Sequence, residues 1–292
     1  MKAIVQLSED QIRQLRLIEL EMLVEVDRIC MKNNIDYSLD GGTLLGAVRH
    51  KGFIPWDDDL DVTFRHDQYE KFFEACKTDL DTSRFFMQDF RTDKGYRWGY
   101  GKLRRLGTEY VKSGQEHLKQ KRGVCIDIFD YQYMPEDLKE RKRFQRKMFC
   151  IRKIAYSAVG KWCDKNPLMR IWYGILSIIP LTPLHNSRLK ELAKLNNIHS
   201  SLVSDEMYPT ARTKNGVNSS VYDAYSEVEF EGMKFHCFEN YDLYLSTLYG
   251  DYMTWPPVEK RVGVMDSLDY KLIDIKYEDI LRQYKENHKI AD

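Results

Sequence analysis

Four aspartates, Asp57, Asp58, Asp59 and Asp61, fall within five residues of the segment WDDDLDV. With residues 60–64 as a strand, the alternation of side chains puts Asp59 and Asp61 on one face. Two carboxylates about 4 Å apart repel by roughly 4 kcal/mol at an effective dielectric near 20. A helix cap accounts for one such residue and a solvated turn for two. A same-face pair on a strand that also carries Leu60, Val62 and Phe64 asks for a countercharge. Hard oxygen ligands suit Mg²⁺ or Mn²⁺. An EF-hand loop counted from Asp57 fails on spacing, because Val62 stands where its glycine belongs and Gln68 where its bidentate glutamate belongs. A third carboxylate is expected from a neighbouring strand. Asp127 is the candidate, set between Ile126 and Ile128 where an unpaired charge is costly. Its bland alternative is a buried aspartate satisfied by an arginine or by backbone amides. Asp130, on the other face by the period of two, reads as structural.

The second chemical feature is Gly41-Gly42-Thr43, between a short strand at 35–39 and a short helix at 43–49. Glycines there let the backbone approach a ligand closely, and the free amides of a helix N-terminus favour phosphate. Arg49, His50 and Lys51 lie between this turn and the acids, and Lys102, Arg104 and Arg105 are read as alternating on another strand. Arg49 and Lys102 are the expected phosphate contacts, against the alternative of a solvated basic face. Trp56, beside Pro55, reads first as a packing residue; cation–π contact with a quaternary ammonium is its functional alternative.

The surrounding elements follow from periodicity. Ser8 and Gln11 have capping-box spacing, and Ile12, Leu15, Ile18, Met22, Val26 and Ile29 recur every three or four residues, which predicts a helix ending near residues 32–34. A second helix is expected at 68–77, and three or four strands over 84–131, the last of them (124–129) central. Residues 139–153 carry eight basic side chains against one acid, and an apolar run covers 168–181. Together they read either as an interfacial patch or, by default, as a solvated helix face plus a core helix. A helix near 188–198, a turn at Asn215-Gly216 and a final helix at 241–249 capped by Gly250 complete the expectation.

The chain has 292 residues, with 45 Lys plus Arg balanced by 45 Asp plus Glu. Zero net charge argues against nucleic acid as the main partner. The six cysteines are scattered without a CxxC, and the seven histidines form no HxH or HExxH pair. Without a signal-peptide pattern or an apolar run of membrane-spanning length, the expected location is cytoplasmic, including the inner face of the membrane.

The block GGTLLGAVRHKGFIPWDDDLDV resembles the signature of the LicD family, whose relatives include fukutin and the fukutin-related protein. The resemblance continues in YEKF (69–72), GKLRR (101–105) and CIDIFDY (125–131), and returns in YDLYLSTLYGDYMTWPPVEKR (241–261). The composition shift after Pro135 already divides the chain into an α+β part over 1–135 and a mostly helical part over 136–292, expected to complete the acceptor side; the resemblance implies that the first is a nucleotidyltransferase-like mixed sheet with helices. It further implies metal-dependent transfer of phosphocholine, or a related phospho-alcohol, from CDP-choline or another CDP-alcohol to a hydroxyl of a surface glycan. Teichoic acid and lipopolysaccharide are such glycans, lipid-linked forms included, and peripheral membrane contact is among the expectations. Carried over residue by residue, Gly41, Gly42 and Thr43 match the phosphate-cradling turn, Asp59 and Asp61 the metal pair, and Asp127 the third carboxylate. The chain departs from the family after PPVEKR, where Val262-Gly263-Val264-Met265-Asp266 lacks the histidine that many members carry. A DxD glycosyltransferase would use the same metal logic on a nucleotide sugar, and a non-catalytic binding module would keep the fold without the metal.

Overall fold

The computed structural model describes residues 5–195, 198–205, 216–261, 263 and 267–290. The segment after Arg261, apart from Gly263, the turn residue Asn215, and residues 196–197 of the helix expected at 188–198 therefore lie outside the described residues. In chain order come α1 (Glu9–Asn33), β1 (Ser38–Leu39), α2 (Gly41–His50), β2 (Asp61–Arg65), α3 (His66–Asp79), β3 (Phe85–Gln88), β4 (Gly101–Arg105), β5 (Glu109–Lys112) and β6 (Cys125–Tyr133). There follow α4 (Leu138–Cys163), α5 (Pro167–Leu176), α6 (Leu181–Leu192), β7 (Leu202–Asp205), β8 (Val217–Asn218), β9 (Tyr225–Phe230), β10 (Met233–Phe238), α7 (Tyr241–Tyr249), β11 (Ser267–Lys271) and α8 (Tyr277–His288).

The fold is α+β. Its main sheet runs β1-β2-β6-β4-β3, with β7 also on β6 and β8 on β7. β2 and β6 are parallel, and the other pairs in this sheet are antiparallel. β6 is the central strand, as its apolar composition predicts; Ile126 and Ile128 are buried, whereas Cys125, Asp127 and Phe129 on the alternate face are half-buried. α1 starts at the predicted capping box, in which Ser8 and Gln11 each close one bond, and it buries the whole 15/18/22/26/29 stripe.

Two elements go beyond the sequence reading. Residues 217–240, for which the sequence reading names no element, carry the β9–β10 hairpin, closed by Glu231 and Gly232 at φ +50° and +75°. Both turn residues are left-handed, as a tight two-residue hairpin requires. The helix at 241–249 is not the last. α8 follows it, lying along α1 with His288 Nε2 2.8 Å from Asp27. The expected boundary near 135 falls between β6 and α4. The later part supplies the α4–α6 group and also β7, which pairs with β6, and β11, which pairs with β5.

Candidate active site

The start of β2 is stitched to the glycine turn by backbone bonds. Asp40 N–H donates to the Asp61 carbonyl (3.0 Å), and Asp61 N–H donates to the Thr43 hydroxyl (2.8 Å). Thr43 is buried, so its oxygen serves this stitch. Gly41 adopts φ +45°; a Cβ built there would lie 3.5 Å from the Tyr249 hydroxyl and 3.9 Å from Asp61 Oδ2. A Cβ on Gly42 would come within 2.6 Å of Asp57 Oδ2. The two glycines thus bring the N-terminus of α2 directly against carboxylates.

The loop that carries those carboxylates is anchored from two distant elements. Arg16 of α1 donates to the carbonyls of Ile54, Pro55 and Asp57 at 3.1, 3.0 and 2.7 Å. At the other end, Glu231 of the hairpin turn accepts from Phe53 N–H (3.0 Å) and donates its own N–H to the Lys51 carbonyl (2.8 Å). Neither anchor is visible locally, because each joins positions far apart in the chain.

Across the sheet, Asp61 is the register partner of Asp127 on β6, and Asp127 that of Lys102 on β4. Register partners share a face, so these three side chains form a row. The Lys102 ammonium pairs with Asp127 and lies 3.7 Å from Cys125 Sγ. Lys102 is therefore committed to a carboxylate. Asp59 lies in the loop before the strand, since β2 begins at Asp61 and not at Leu60. The alternation that would align 59 with 61 has no strand to act on. Asp59 is exposed and reaches Asp57 by a side-chain hydrogen bond. Arg49, at the end of α2, donates to the Tyr252 carbonyl (2.9 Å) and to His50, and no carboxylate is among these partners. Trp56 packs on Trp255 (5.8 Å between centroids), with the Arg261 guanidinium 5.6 Å over its ring. Asp130, read as structural, is held by His66 Nδ1 and Gln132 at 3.1 Å.

Electrostatically the row is a store of repulsion. Burial pushes the Asp61 carboxyl well above the usual range, and Asp59, Asp127 and Asp40 push it further against the pull of Lys102. Burial, then Asp59, lifts Asp57 to about 7. Burial lifts Asp40 to about 6, the hydrogen bond from Tyr244 opposing it. Glu19 of α1 joins them: it is buried, raised by burial and then by Asp59, and its Oε2 has no hydrogen-bond partner. Glu19 lines a cavity of about 280 Å³ with Asp58, Asp59, Asp127 and Lys102. It was readable as an acid within the 15/18/22/26 apolar stripe, since position 19 falls on that face. Tyr249 and Arg16 left no such signal.

A hard divalent cation suits this donor set, because buried carboxylates that raise one another's pKa are what such an ion neutralises. Among the described residues no three Asp, Glu, His or Cys side chains are gathered closely enough to hold a metal ion, and Lys102 covers an oxygen of Asp127.

The matched family is described as LicD/FKTN/FKRP, nucleotidyltransferase domain, and it covers residues 34–155, which include the turn, both strands and the acid loop. A lipopolysaccharide cholinephosphotransferase, LicD, of Haemophilus influenzae is 28% identical over 261 residues, 86% of this chain and 94% of that protein. An uncharacterized protein of Rickettsia typhi is 32% identical over 131 residues, 43% of this chain and 34% of its own length. One of Rickettsia prowazekii is 42% identical over 69 residues, 22% and 26% of the two chains.

Proposed function

We propose that this chain, whose residues 34–155 match the LicD family, transfers phosphocholine, or a related phospho-alcohol, from a CDP-linked donor to a sugar hydroxyl of a surface glycan, releasing CMP. The observation that carries the reading is the contact of the Gly41-Gly42 turn with Asp57 and Asp61, across one strand pair from Asp127. The whole-length similarity to a cholinephosphotransferase supports the substrate class.

The roles follow from chemistry. The amides at the start of α2 bind the donor diphosphate, and the glycines leave room for it. The acceptor oxygen attacks the phosphorus that bears choline; the bond to CMP breaks, and CMP leaves with the electron pair. The hydroxyl proton passes to the Asp127 carboxylate, which becomes free to take it once the Lys102 ammonium turns to the incoming phosphate. Asp61 and Asp127, register partners on β2 and β6, together with Asp59 once drawn in from its loop, are the residues that would hold Mg²⁺ or Mn²⁺, and such an ion would neutralise charge on the diphosphate and the departing CMP. A glycosyltransferase using a nucleotide sugar would need the same acids but gives no reason for the glycine turn beside them. Incubation with Mg²⁺ and a panel of CDP-alcohols and nucleotide sugars, following CMP and sugar transfer, decides between the two. CMP release from a CDP-alcohol supports this reading, and turnover of nucleotide sugars alone overturns it.

The acceptor side suits a lipid-linked glycan at the inner face of the membrane. No single helix among the described residues is long and apolar enough to cross a bilayer. The apolar run expected as a core helix is instead largely surface: Leu168, Ile171, Trp172 and Ile175 of α5 are 74, 64, 52 and 55% exposed. Only Tyr173 of that helix is buried, and the basic α4 packs beside it. An apolar row flanked by cations suits an anionic lipid surface. Flotation of the full chain with vesicles containing phosphatidylglycerol tests it, and loss of co-flotation is expected for Ile171→Glu with Ile175→Glu.

A further inference from the structure

Beside the acid-lined cavity lies a second one of about 450 Å³, and the two share Lys102, Tyr110, Lys112 and Cys125. Their linings carry opposite charge. The second has no Asp or Glu among its lining residues. Lys102 and Arg104, both buried, come from the same strand at the sheet side of the pocket, while Lys121, Arg122, Arg152 and Lys153 line it from the flanking loop and α4. Trp98, Tyr100 and Tyr156 supply aromatic walls. Arg104 is the informative group. Its guanidinium donates to the Gln88 amide oxygen and to the Gly123 carbonyl (2.7 Å), both neutral. A buried guanidinium held by neutral partners keeps a charge that an arriving anion would satisfy.

Position says which substrate this pocket serves. In the sheet β4 lies on the far side of β6 from β2, so a line from the glycine turn passes Asp61, Asp127 and Lys102 before reaching it. In-line displacement puts the attacking hydroxyl opposite the leaving group. With the donor diphosphate at the glycine turn, the acceptor approaches from the basic side. We propose that this pocket is the acceptor site and that it takes an anionic acceptor, a sugar ring bearing a phosphate group. The acceptor role rests on the phosphotransferase reading; the anion site does not.

Isothermal titration calorimetry on the full chain, with glucose 6-phosphate, glucose and CMP as probes, tests both parts. Glucose 6-phosphate binds and weakens as NaCl is raised, while glucose at the same concentration gives no heat. In Arg152→Gln with Lys153→Gln, and separately in Lys121→Gln with Arg122→Gln, its Kd rises tenfold or more, and CMP affinity stays within twofold. Equal binding of glucose, a salt-independent Kd, or no loss in either double variant overturns the anion site. Parallel loss of CMP affinity overturns the acceptor assignment and gives the pocket to the donor nucleotide. If glucose 6-phosphate behaves as expected while no CDP-alcohol releases CMP, the anion site stands and the phosphotransferase reading falls.

Discussion

The two neighbouring cavities are built on one sheet face, a strand apart, with opposite charge. On the β2 side carboxylates crowd one another until Asp61 and Glu19 are pushed far above their ordinary range. On the β4 side cations gather around Arg104 with no carboxylate in the lining. The register pair Lys102–Asp127 is the border. The contrast teaches that a sheet can set a cation-seeking and an anion-seeking region side by side simply by register, with one ion pair between them. In the proposed reaction the two have different tasks: the acidic region would serve a divalent ion and the donor, the basic one an acceptor.

Perturbing the acid side is expected to have the largest effect. Asp61→Asn should lower kcat/KM for CMP release by roughly 10³-fold or more, with circular dichroism unchanged, since a half-buried carboxylate is exchanged for a near-isosteric amide. Unchanged turnover would remove Asp61 from the mechanism. Gly42→Ala is next: its methyl meets Asp57 Oδ2 at 2.6 Å, so the loop must shift. A misplacement on the order of 1 Å costs about 10²-fold, read mainly in KM for the donor. Lys102→Gln breaks the border itself. With the ammonium gone from Asp127, the Mg²⁺ concentration for half-maximal activity should fall by about tenfold, equivalent to roughly 1.4 kcal/mol, while kcat drops through loss of the phosphate contact.

The smallest effect concerns stability. The Glu19 carboxyl is raised from 4.5 by burial and then by Asp59. The unfolded chain gives up this proton near 4.5 and the folded chain retains it, so the associated stability is present below that pH and is lost as pH rises towards the folded value. Glu19→Gln lacks that loss. Its Tm should match wild type near pH 4 and exceed it by roughly 3–6 °C at pH 8. A constant difference across that range would mean that Glu19 acts through packing alone.

Much of the frame was legible locally. The capping box and the stripe of α1 needed only neighbouring residues, and the apolar flanks of Asp127 marked the central strand. The β9–β10 hairpin was missed, although the alternation of Val228, Phe230, Met233, Phe235 and Cys237 about Glu231-Gly232 was there to signal it. α8 was harder, because its apolar stripe is only Tyr277, Ile280, Leu281 and Tyr284 among charged residues. What the chain hides is whatever depends on distant contacts. Asp59 left the strand because β2 starts two residues later, in a loop held by Arg16 and Glu231. The commitment of Lys102 to Asp127, and the exposure of α5, likewise depend on how segments far apart in the chain come to lie side by side.

Electron paramagnetic resonance of Mn²⁺ titrated into the full chain tests the central claim most directly, because it reads the ion at the carboxylates without requiring the right donor or acceptor. Stoichiometric loss of the free-ion signal with wild type, at least tenfold weaker binding with Asp61→Asn, and competition by Mg²⁺ are the results the account predicts. A free-ion signal that wild type leaves untouched, or that Asp61→Asn quenches equally well, would contradict it.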